Sequence, residues 1–466
     1  MAYASTNPFT GEVVATFDTI SDAELEAKLA KANEAFQSWR TTTFEERAAI
    51  MRRAADLMIE RRDQLAAINT IETGKLIQIS AWEMNMCADI FRHYADHAEE
   101  YLQPVRLVTN DDTAGDAICV FQPMGIVYMI EPWNVPFFQM SRPSAAQLMA
   151  GNVVVLKHAS NCPQCALAME QLLLDAGLPE GCFTNLFANY DQSDRIIADP
   201  RVCGVTITGS TEVGRGVSAK AGAALKKNVM ELGGSDAMVV MHDADLTKSV
   251  QGALLGRLTN SGQVCVGDKR MFVHSSLYHA FLDGVRAACD QLVAGDPLDP
   301  ETTFGPVCSA KAAAKVKAQI ALAVEHGATA TEVGPEVPAG DAWVRATILT
   351  GVTPDNPIFQ QEIFGPVMMV FSWSDEDEML RLANGTDFGL GASVYTESLA
   401  NAQRISLALE AGAISVNQFT CASPAIPFGG IKQSGFGREM GRAGIVEFTN
   451  QKTVNSHDMD VKEFAL

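Results

Sequence analysis

The sequence predicts an α/β fold in which helices cover parallel sheets, arranged as two α/β domains and a bridging element. Short apolar runs rich in β-branched residues, such as 125–130 and 151–157, alternate with helical patterns, which is typical of buried parallel strands. The 466 residues are 47% hydrophobic and 20% charged, so the chain can bury large cores.

Composition excludes several classes of partner. The net charge of −21 argues against nucleic acid, because phosphate backbones need clustered Lys and Arg. No apolar run reaches membrane-spanning length, and the N-terminus lacks the pattern of a secretory signal, so we expect no membrane partner. Ten scattered cysteines fit a reducing compartment, and we expect a cytoplasmic protein. Cys162 and Cys165 lack a second pair at zinc-site spacing, so no metal is expected.

The first hundred residues predict a turn followed by helices. Asn7-Pro8 favours a turn between two short extended segments. Glu24 lies three residues after Ser21, which is the spacing of a capping box, and Gly74 is expected to cap the second helical run. The three helical runs are 21–39, 44–73 and 77–101.

Two extended segments flank the rest of the chain. Residues 103–122 predict a protruding hairpin with a polar tip at 110–116, and residues 449–454 predict a further strand. Because exposed strand edges usually find partners, we expect these two segments to meet across subunits.

Two loops follow predicted strands at the edge where open α/β sheets bind ligands. In the stretch 132–136 two prolines fix a rigid loop, where Asn134 can donate to a developing oxyanion or bond a local turn. In the stretch 209–214 a Gly-Ser-Thr turn opens a helix and suits a phosphate, since free N–H groups and the helix dipole both face it. This turn is neither a Walker A loop nor a GxGxxG fingerprint.

Cys265 lies among small and amide-bearing residues in the stretch 259–267. Gly262 and Gly267 have little reason to lie in a packed helix or strand, so a substrate carbon could approach the sulfur. Two interpretations are open at this point: Cys265 is a nucleophile, or it is a small buried hydrophobic residue.

Six stretches in this order resemble motifs of the aldehyde dehydrogenase superfamily, and within it the succinate-semialdehyde dehydrogenases. The likeness covers nearly the whole chain. The stretches are PWNVP at 132–136, GSTEVG at 209–214, ELGG at 231–234, GQVC at 262–265, EIFGP at 362–366 and PFGGIKQSG at 427–435.

The resemblance implies two Rossmann-like parallel-sheet domains of the aldehyde dehydrogenase type and a small β oligomerisation element. We expect a homodimer or homotetramer. The cofactor-binding domain is expected to comprise residues 1–102 and 124–231, and the catalytic domain residues 232–437. The β oligomerisation element is expected to comprise residues 103–123 and 438–466.

The resemblance also implies a reaction through a cysteine thioester. Cys265 attacks the aldehyde, and Asn134 with the Cys265 backbone N–H holds the oxyanion. Hydride then passes to a nicotinamide, and Glu231 activates the water that hydrolyses the thioester. The chemistry of Glu231 supports this role, since it precedes a flexible Leu-Gly-Gly.

The implied cofactor is NADP or NAD. Ser160 stands where NAD-preferring relatives often carry a Glu, whose carboxylate would repel a 2′-phosphate. We therefore expect NADP to be preferred and NAD to be possible. The residues that the resemblance assigns to the cofactor are Trp133, Lys157, Ser160, Gly209, Ser210, Leu232, Glu362 and Phe364.

The substrate is less well determined than the cofactor. Arg142 and Ser423 match residues that bind the distal carboxylate of succinate semialdehyde in relatives, although a helix-surface ion pair and a turn would also explain them. Thr259 stands where many such relatives carry a second arginine, so lactaldehyde or glycolaldehyde stays open. A CoA-acylating dehydrogenase and a non-catalytic structural protein of the same fold stay open as well.

Overall fold

The computed structural model describes residues 3–107 and 115–461. Within these ranges, no helix is long and apolar enough to cross a membrane. The helices are α1 Asp22–Trp39, α2 Phe44–Glu60, α3 Arg62–Thr73, α4 Ile77–Tyr101, α5 Pro136–Met149, α6 Pro163–Asp175, α7 Tyr190–Ala198, α8 Thr211–Ala223, α9 Leu246–Leu258, α10 Tyr278–Cys289, α11 Ala310–Glu325, α12 Glu376–Asn384, α13 Leu399–Ala408 and α14 Gly441–Val446.

The strands are β1 Tyr3–Thr6, β2 Val13–Phe17, β3 Val105–Leu107, β4 Asp116–Pro123, β5 Ile126–Glu131, β6 Val153–His158, β7 Phe183–Asn185, β8 Val202–Thr208, β9 Lys227–Glu231, β10 Asp236–Val240, β11 Asp268–His274, β12 Thr329–Glu332, β13 Thr347–Thr350, β14 Val367–Trp373, β15 Phe388–Gly389, β16 Gly391–Tyr395, β17 Ala413–Val416, β18 Ile431–Lys432, β19 Gly435–Phe436 and β20 Thr449–Ser456. Two 3₁₀ turns lie at Thr259–Gly262 and Pro357–Gln360.

The first large sheet has six strands in the order β19-β9-β8-β5-β6-β7. All of its pairings are parallel except the one between β19 and β9. Every residue of β6 is buried, which explains its unbroken apolar run up to Lys157. The predicted α/β fold with a parallel sheet is therefore confirmed.

The second large sheet has seven strands in the order β12-β13-β14-β11-β10-β16-β17. Its strands are parallel except β12, which lies antiparallel at one edge. The segment between β9 and β10, residues 232–235, leads from the first sheet into the second. The carboxyl end of β9 therefore faces the point where the two sheets approach each other.

The prediction that 103–122 and 449–454 meet across subunits is wrong for the pairing seen here. β20 pairs antiparallel with β4 along eight residues of the same chain, from Thr449 opposite Pro123 to Ser456 opposite Asp116. β3 pairs with the other edge of β4. The C-terminal segment returns along β4, which is the central strand of this three-stranded sheet. The backbone groups of β4 are therefore paired on both sides within one chain. Residues 110–114 of the predicted hairpin tip lie outside the described residues.

The N-terminal helices form a layer against the first sheet. The capping box of Ser21 and Glu24 is present as predicted, and Gly74 ends α3 in the left-handed conformation with φ 75°. The predicted single run 44–73 is wrong, because the chain breaks at Arg61 into α2 and α3. Both helices keep an amphipathic pattern across this break, so periodicity gave no signal of it.

Two buried glutamates of this layer cap helices of the first sheet. Both α5 and α6 begin with proline and lack a hydrogen bond from their own N-cap side chain. Glu72 of α3 accepts the backbone N–H groups of Gln164 and Cys165 at 2.9 Å. Glu83 of α4 accepts the Phe138 N–H at 3.0 Å and pairs with buried Lys75. Remote carboxylates therefore satisfy helix ends that would otherwise be buried without partners.

Replacing Glu72 with alanine is expected to lower the free energy of unfolding by about 3 kcal/mol, because buried donors lose their acceptor. Urea unfolding measures the loss, and hydrogen exchange at Gln164 and Cys165 shows where it arises. Glu46→Ala is the matched control, since Glu46 caps α2 at an exposed position that water can replace, and it should cost about 1 kcal/mol or less. Equal losses in the two variants would contradict this account.

Candidate active site

One cavity between the two large sheets brings together most of the residues predicted from the sequence. Its volume is about 290 Å³. Cys265, Asn134 and Glu362 all line it. The other predicted residues in its wall are Trp133, Gly209, Ser210, Leu232 and Phe364.

A left-handed turn presents Cys265 to this cavity. Asn260, Ser261 and Gly262 have φ values of 53°, 52° and 77°, so three consecutive residues adopt a conformation that side chains disfavour. Gly262 is required at its position, since a Cβ atom there would lie 2.2 Å from the Gly365 carbonyl oxygen. Close backbone approach therefore explains the glycine that first distinguished this stretch.

Arg257 holds the Cys265 turn against the segment that carries Glu362. Its guanidinium is buried and donates to the carbonyl oxygens of Gly262 at 2.9 Å and Ile363 at 2.7 Å. It also donates to the carbonyls of Val367, at 2.6 Å, and Gly365. One planar side chain thus satisfies four buried acceptors from two segments that are distant in sequence.

Asn134 is tied to the same turn by amide groups. The Asn134 Nδ2 donates to the Gln263 carbonyl at 3.2 Å, and the Asn260 Nδ2 donates to the Asn134 carbonyl at 2.8 Å. The Gln139 Nε2 donates to the Asn134 Oδ1 at 3.4 Å. These bonds turn the Asn134 NH₂ group toward the Cys265 turn. Its second hydrogen is available to an oxyanion in the cavity.

The thiol of Cys265 is surrounded by opposing charges. Burial raises the pKa of Cys265 to about 11, while Arg142 and Lys269 lower it and Glu362 and Asp236 raise it. The thiolate is the nucleophilic form, and this environment keeps the sulfur protonated near neutral pH.

Glu231 lies at the end of β9, completely buried, and is not part of the cavity wall. Burial raises the pKa of Glu231 well above its usual range, and the nearby Glu439 raises it further, while Arg142 opposes the shift. A Cβ atom on Gly429 would lie 2.6 Å from the Glu231 Oε1, so the glycine leaves room for this carboxyl. A carboxyl with a raised pKa is suited to proton transfer near neutral pH.

Arg142 and Ser423 lie apart from the cavity in the described structure. Arg142 is 1% exposed, pairs with Glu439 at 3.1 Å and donates to Gln139 and, at 3.1 Å, to Thr208. An ion pair is thus present, but it is buried, so the interpretation as a helix-surface pair is wrong. Ser423 is half-buried, five residues before Phe428, whose ring packs against the Arg142 guanidinium.

Thr259, the position without a second arginine, directs its hydroxyl into the backbone. The Thr259 Oγ1 donates to the Leu255 carbonyl oxygen at 2.6 Å. Threonine is uncharged, and its hydroxyl hydrogen is used by the backbone of α9.

A second cavity of about 1030 Å³ adjoins the first at Trp133. Lys157 and Ser160, which the resemblance assigns to the cofactor, both line it. The Lys157 ammonium lies 5.8 Å from the Tyr3 ring centre and 5.6 Å from that of Tyr190, which is a cation–π arrangement that fixes its position.

Ser210 is the N-cap of α8, as the Gly-Ser-Thr turn predicted, with its side chain accepting from the Val213 N–H. Ser210 and Gly209 lie in the wall of the first cavity, so the N-terminal end of α8 borders it. The edge-to-face rings of Trp133 and Phe364, 5.8 Å apart, form another part of that wall. A phosphate and a flat ring therefore fit this cleft.

Sequence reasoning missed four charged residues of the site. Lys315 of α11 lines the Cys265 cavity from the side of the second sheet. Lys269 is buried beside Cys265 and Glu362, while Glu131 and Glu439 lie buried near Arg142. Each would pass for a surface charge in the sequence. Only Lys269 could have been suspected of belonging to the site from the sequence, because it follows Cys265 by four residues.

Comparison with known proteins identifies the family. Residues 1–454 match the aldehyde dehydrogenase family. An NADP(+) succinate-semialdehyde dehydrogenase of Deinococcus radiodurans is 43% identical, over 97% of this chain and 94% of that protein. A probable NADP(+) succinate-semialdehyde dehydrogenase of Synechocystis is also 43% identical, over 97% of this chain and 99% of that protein. The succinic semialdehyde dehydrogenase of Streptococcus pyogenes, solved with NADP+, superposes with a TM-score of 0.95 at 39% identity over 97% of this chain and 99% of that one. This chain belongs to the aldehyde dehydrogenase family.

Proposed function

We propose that the protein oxidises succinate semialdehyde to succinate with NADP through a thioester on Cys265. The observation that carries this proposal is the convergence of Cys265, Asn134 and Glu362 on one cavity at the carboxyl end of a parallel sheet. The names of the relatives support the choice of this aldehyde and of NADP.

The protein residues divide the chemistry between them. The Cys265 thiol loses its proton to solvent and its sulfur attacks the aldehyde carbon. The Asn134 NH₂ group with the Cys265 N–H receives the negative oxygen. A bound NADP would supply the hydride acceptor that oxidises the resulting adduct to a thioester. The Glu231 carboxylate, in its ionised form, then takes a proton from the water that cleaves the thioester, and the Cys265 sulfur leaves. Burial raises the pKa of Glu231, which makes the ionised form a stronger base. This last role needs movement of Glu231 toward the cavity, for which the following Leu-Gly-Gly is suited.

The cofactor fits the residues that are present. Ser210 caps the helix end at which a pyrophosphate would bind, and Lys157 offers a positive charge beside Ser160 in the adjoining cavity. Ser160 brings no negative charge against a 2′-phosphate. Glu362 lies where the nicotinamide ribose, which NADP and NAD share, could bond its carboxylate. The uncharged Ser160 is what supports NADP as the preferred cofactor, with NAD possible.

The substrate assignment rests on Arg142 and Ser423. Arg142 can attract a distal carboxylate only if it shares its charge between that group and Glu439, with which it pairs. Because Glu439 already pairs with Arg142 and Thr259 is uncharged, less positive charge is left for a substrate carboxylate. This favours a second candidate function, a dehydrogenase for the uncharged aldehydes lactaldehyde or glycolaldehyde. A CoA-acylating reaction is disfavoured because it needs no carboxyl such as Glu231. A purely structural protein would not require the thiol, amide and carboxyl together.

The cofactor-binding domain is proposed to span 1–102 and 124–231, and the catalytic domain 232–437. Residues 103–123 and 438–466 are proposed to assemble a homodimer or homotetramer. The edge strand β20, most of whose residues are exposed, supports this assignment, because edges of this kind are common sites of pairing between copies.

Steady-state kinetics on the purified protein tests the function. Succinate semialdehyde, glutarate semialdehyde, lactaldehyde and glycolaldehyde are each supplied with NADP and with NAD. Succinate semialdehyde with NADP is expected to give the highest kcat/KM, since two charged groups are then recognised. A higher kcat/KM with lactaldehyde or glycolaldehyde would select the second candidate. Acyl-CoA formed on addition of CoA would select the acylating reaction.

Ser160→Glu is expected to reverse the cofactor preference. The new carboxylate would repel the 2′-phosphate and could bond the ribose hydroxyls of NAD. We expect kcat/KM for NADP to fall about tenfold or more, which corresponds to about 1.4 kcal/mol, while that for NAD is kept or rises. Ser160→Ala is the control and should keep the preference for NADP. An unchanged NADP to NAD ratio in Ser160→Glu would remove Ser160 from the cofactor site.

Asn134→Ala is expected to reduce kcat by about a hundred- to thousandfold, the usual cost of one oxyanion donor. NADP binding should change little, because the Asn134 backbone carbonyl still accepts from Asn260. Unchanged turnover would exclude Asn134 as the oxyanion donor.

A further inference from the structure

We propose that Lys269 is a positioning residue that fixes two parts of the site at once, the peptide N–H of Cys265 and the carboxylate of Glu362. This inference rests on the proposed function for the reaction that it serves. The contacts themselves are properties of the free protein, and nothing in the cysteine, amide and carboxyl roles above requires a lysine at this position.

Lys269 lies at the start of β11, and its side chain is completely buried. The Nζ donates to the Val264 carbonyl at 2.9 Å and to the Cys265 carbonyl at 2.5 Å. It lies 3.3 Å from the Glu362 Oε1. An ammonium has three hydrogens, so these three acceptors match its full donor capacity and define one orientation.

The bond to Val264 determines where the Cys265 N–H points. The Val264 carbonyl and the Cys265 N–H belong to one peptide unit, and in a planar trans peptide they point in opposite directions. Because Lys269 and the Gly267 N–H, at 3.2 Å, both bind that carbonyl, the Cys265 N–H is turned away from β11. It then faces the cavity that Cys265 lines, beside Asn134. A carbonyl bound by a cation also polarises its peptide, which makes the opposite N–H a stronger donor.

The contact with Glu362 extends this control to a second segment that lines the cavity. The Glu362 Oε1 also accepts the Gly234 N–H at 3.2 Å, so two donors hold one carboxylate oxygen. The second oxygen faces Gly233, where a Cβ atom would lie 2.4 Å away. Lys269 therefore links the turn that carries the sulfur to the carboxylate proposed for the cofactor.

The charges around Lys269 come from several elements. Asp268 adjoins it on β11, Asp236 faces it from β10, and Glu362 faces it from the segment before β14. Arg257 of α9 and Arg270 of β11 are further cations near these carboxyls. Removing the Lys269 ammonium leaves Glu362 and Asp236 less opposed near the Cys265 thiol, and both groups raise the pKa of that thiol.

Lys269→Met tests the proposal, since methionine keeps most of the stem and removes the charge. Alkylation of Cys265 by iodoacetamide, followed peptide by peptide from pH 7 to 9, needs neither cofactor nor aldehyde. At a fixed pH it should slow about tenfold, which corresponds to about one unit of pKa. The exposed Cys421 is the internal reference and should keep its rate.

Cofactor binding and turnover complete the test. The Kd for NADP, measured without aldehyde, should rise about fivefold or more in Lys269→Met, and kcat should fall more than KM changes, because the lost N–H orientation acts on the transition state. Lys317→Met, at an exposed position of α11, is the matched control and should leave all three quantities unchanged. Alkylation, Kd and kcat within about twofold of the parent protein would overturn the proposal.

Lys269→Arg covers the case in which Lys269→Met fails to fold. Arginine keeps the charge, but its planar fork cannot place one nitrogen on both carbonyls and the carboxylate. Cofactor binding and alkylation should then stay near the parent values while kcat falls. Parent values in all three assays would again overturn the proposal. If no aldehyde is oxidised by the parent protein but Lys269→Met alters alkylation and NADP binding, the proposed function fails and the role of Lys269 stands.

Discussion

The irregular backbone around Cys265 is buried, and each of its peptide groups must find a partner inside the protein. Regular secondary structure cannot supply these partners, because the left-handed turn at 260–262 breaks the helical pattern. Long side chains supply them instead. Arg257 binds the carbonyls of Gly262 and the 363–367 segment, and Lys269 binds those of Val264 and Cys265. These hydrogen bonds hold the loop in its left-handed conformation and offset the cost of its backbone strain.

The same requirement links the helical layer to the site. Helix α5 carries Gln139 and Arg142 toward the Cys265 turn, yet its first N–H groups lack a local cap. Glu83 reaches across from α4 to accept one of them, and its charge is balanced by Lys75. A buried ion pair of this kind contributes orientation more than stability, since desolvation offsets much of the attraction. The Glu83–Lys75 pair therefore gives the interior of the helical layer a role in positioning α5, the helix that carries Gln139 and Arg142.

Four charged groups share the space behind the cavity. Glu131, Glu231 and Glu439 surround the Arg142 guanidinium, and burial raises the pKa of Glu131 and Glu231 well above their usual range, with Glu439 raising both further. Arg142 opposes the shift at both glutamates, and Arg438 also opposes it at Glu231, but burial is the larger effect at each. Glu231, the carboxyl that we propose for thioester hydrolysis, therefore lies in a buried group of charged side chains. Arg142 also holds Gln139, which orients Asn134, so its charge serves the amide as well.

The sequence by itself determined the α/β class, the parallel strands, the caps at Ser21, Gly74 and Ser210, and the residues Cys265, Asn134 and Glu231 as candidates, because these features depend on local pattern or on short motifs. Tertiary structure alone decided the break between α2 and α3, the return of β20 along β4 within one chain, and the burial of Arg142. It also decided the positions of Lys269, Glu131 and Glu439, whose spacing in the sequence resembles that of surface charges. Such groups acquire their roles from neighbours brought together by folding, and no local pattern encodes which charges will lose their contact with water.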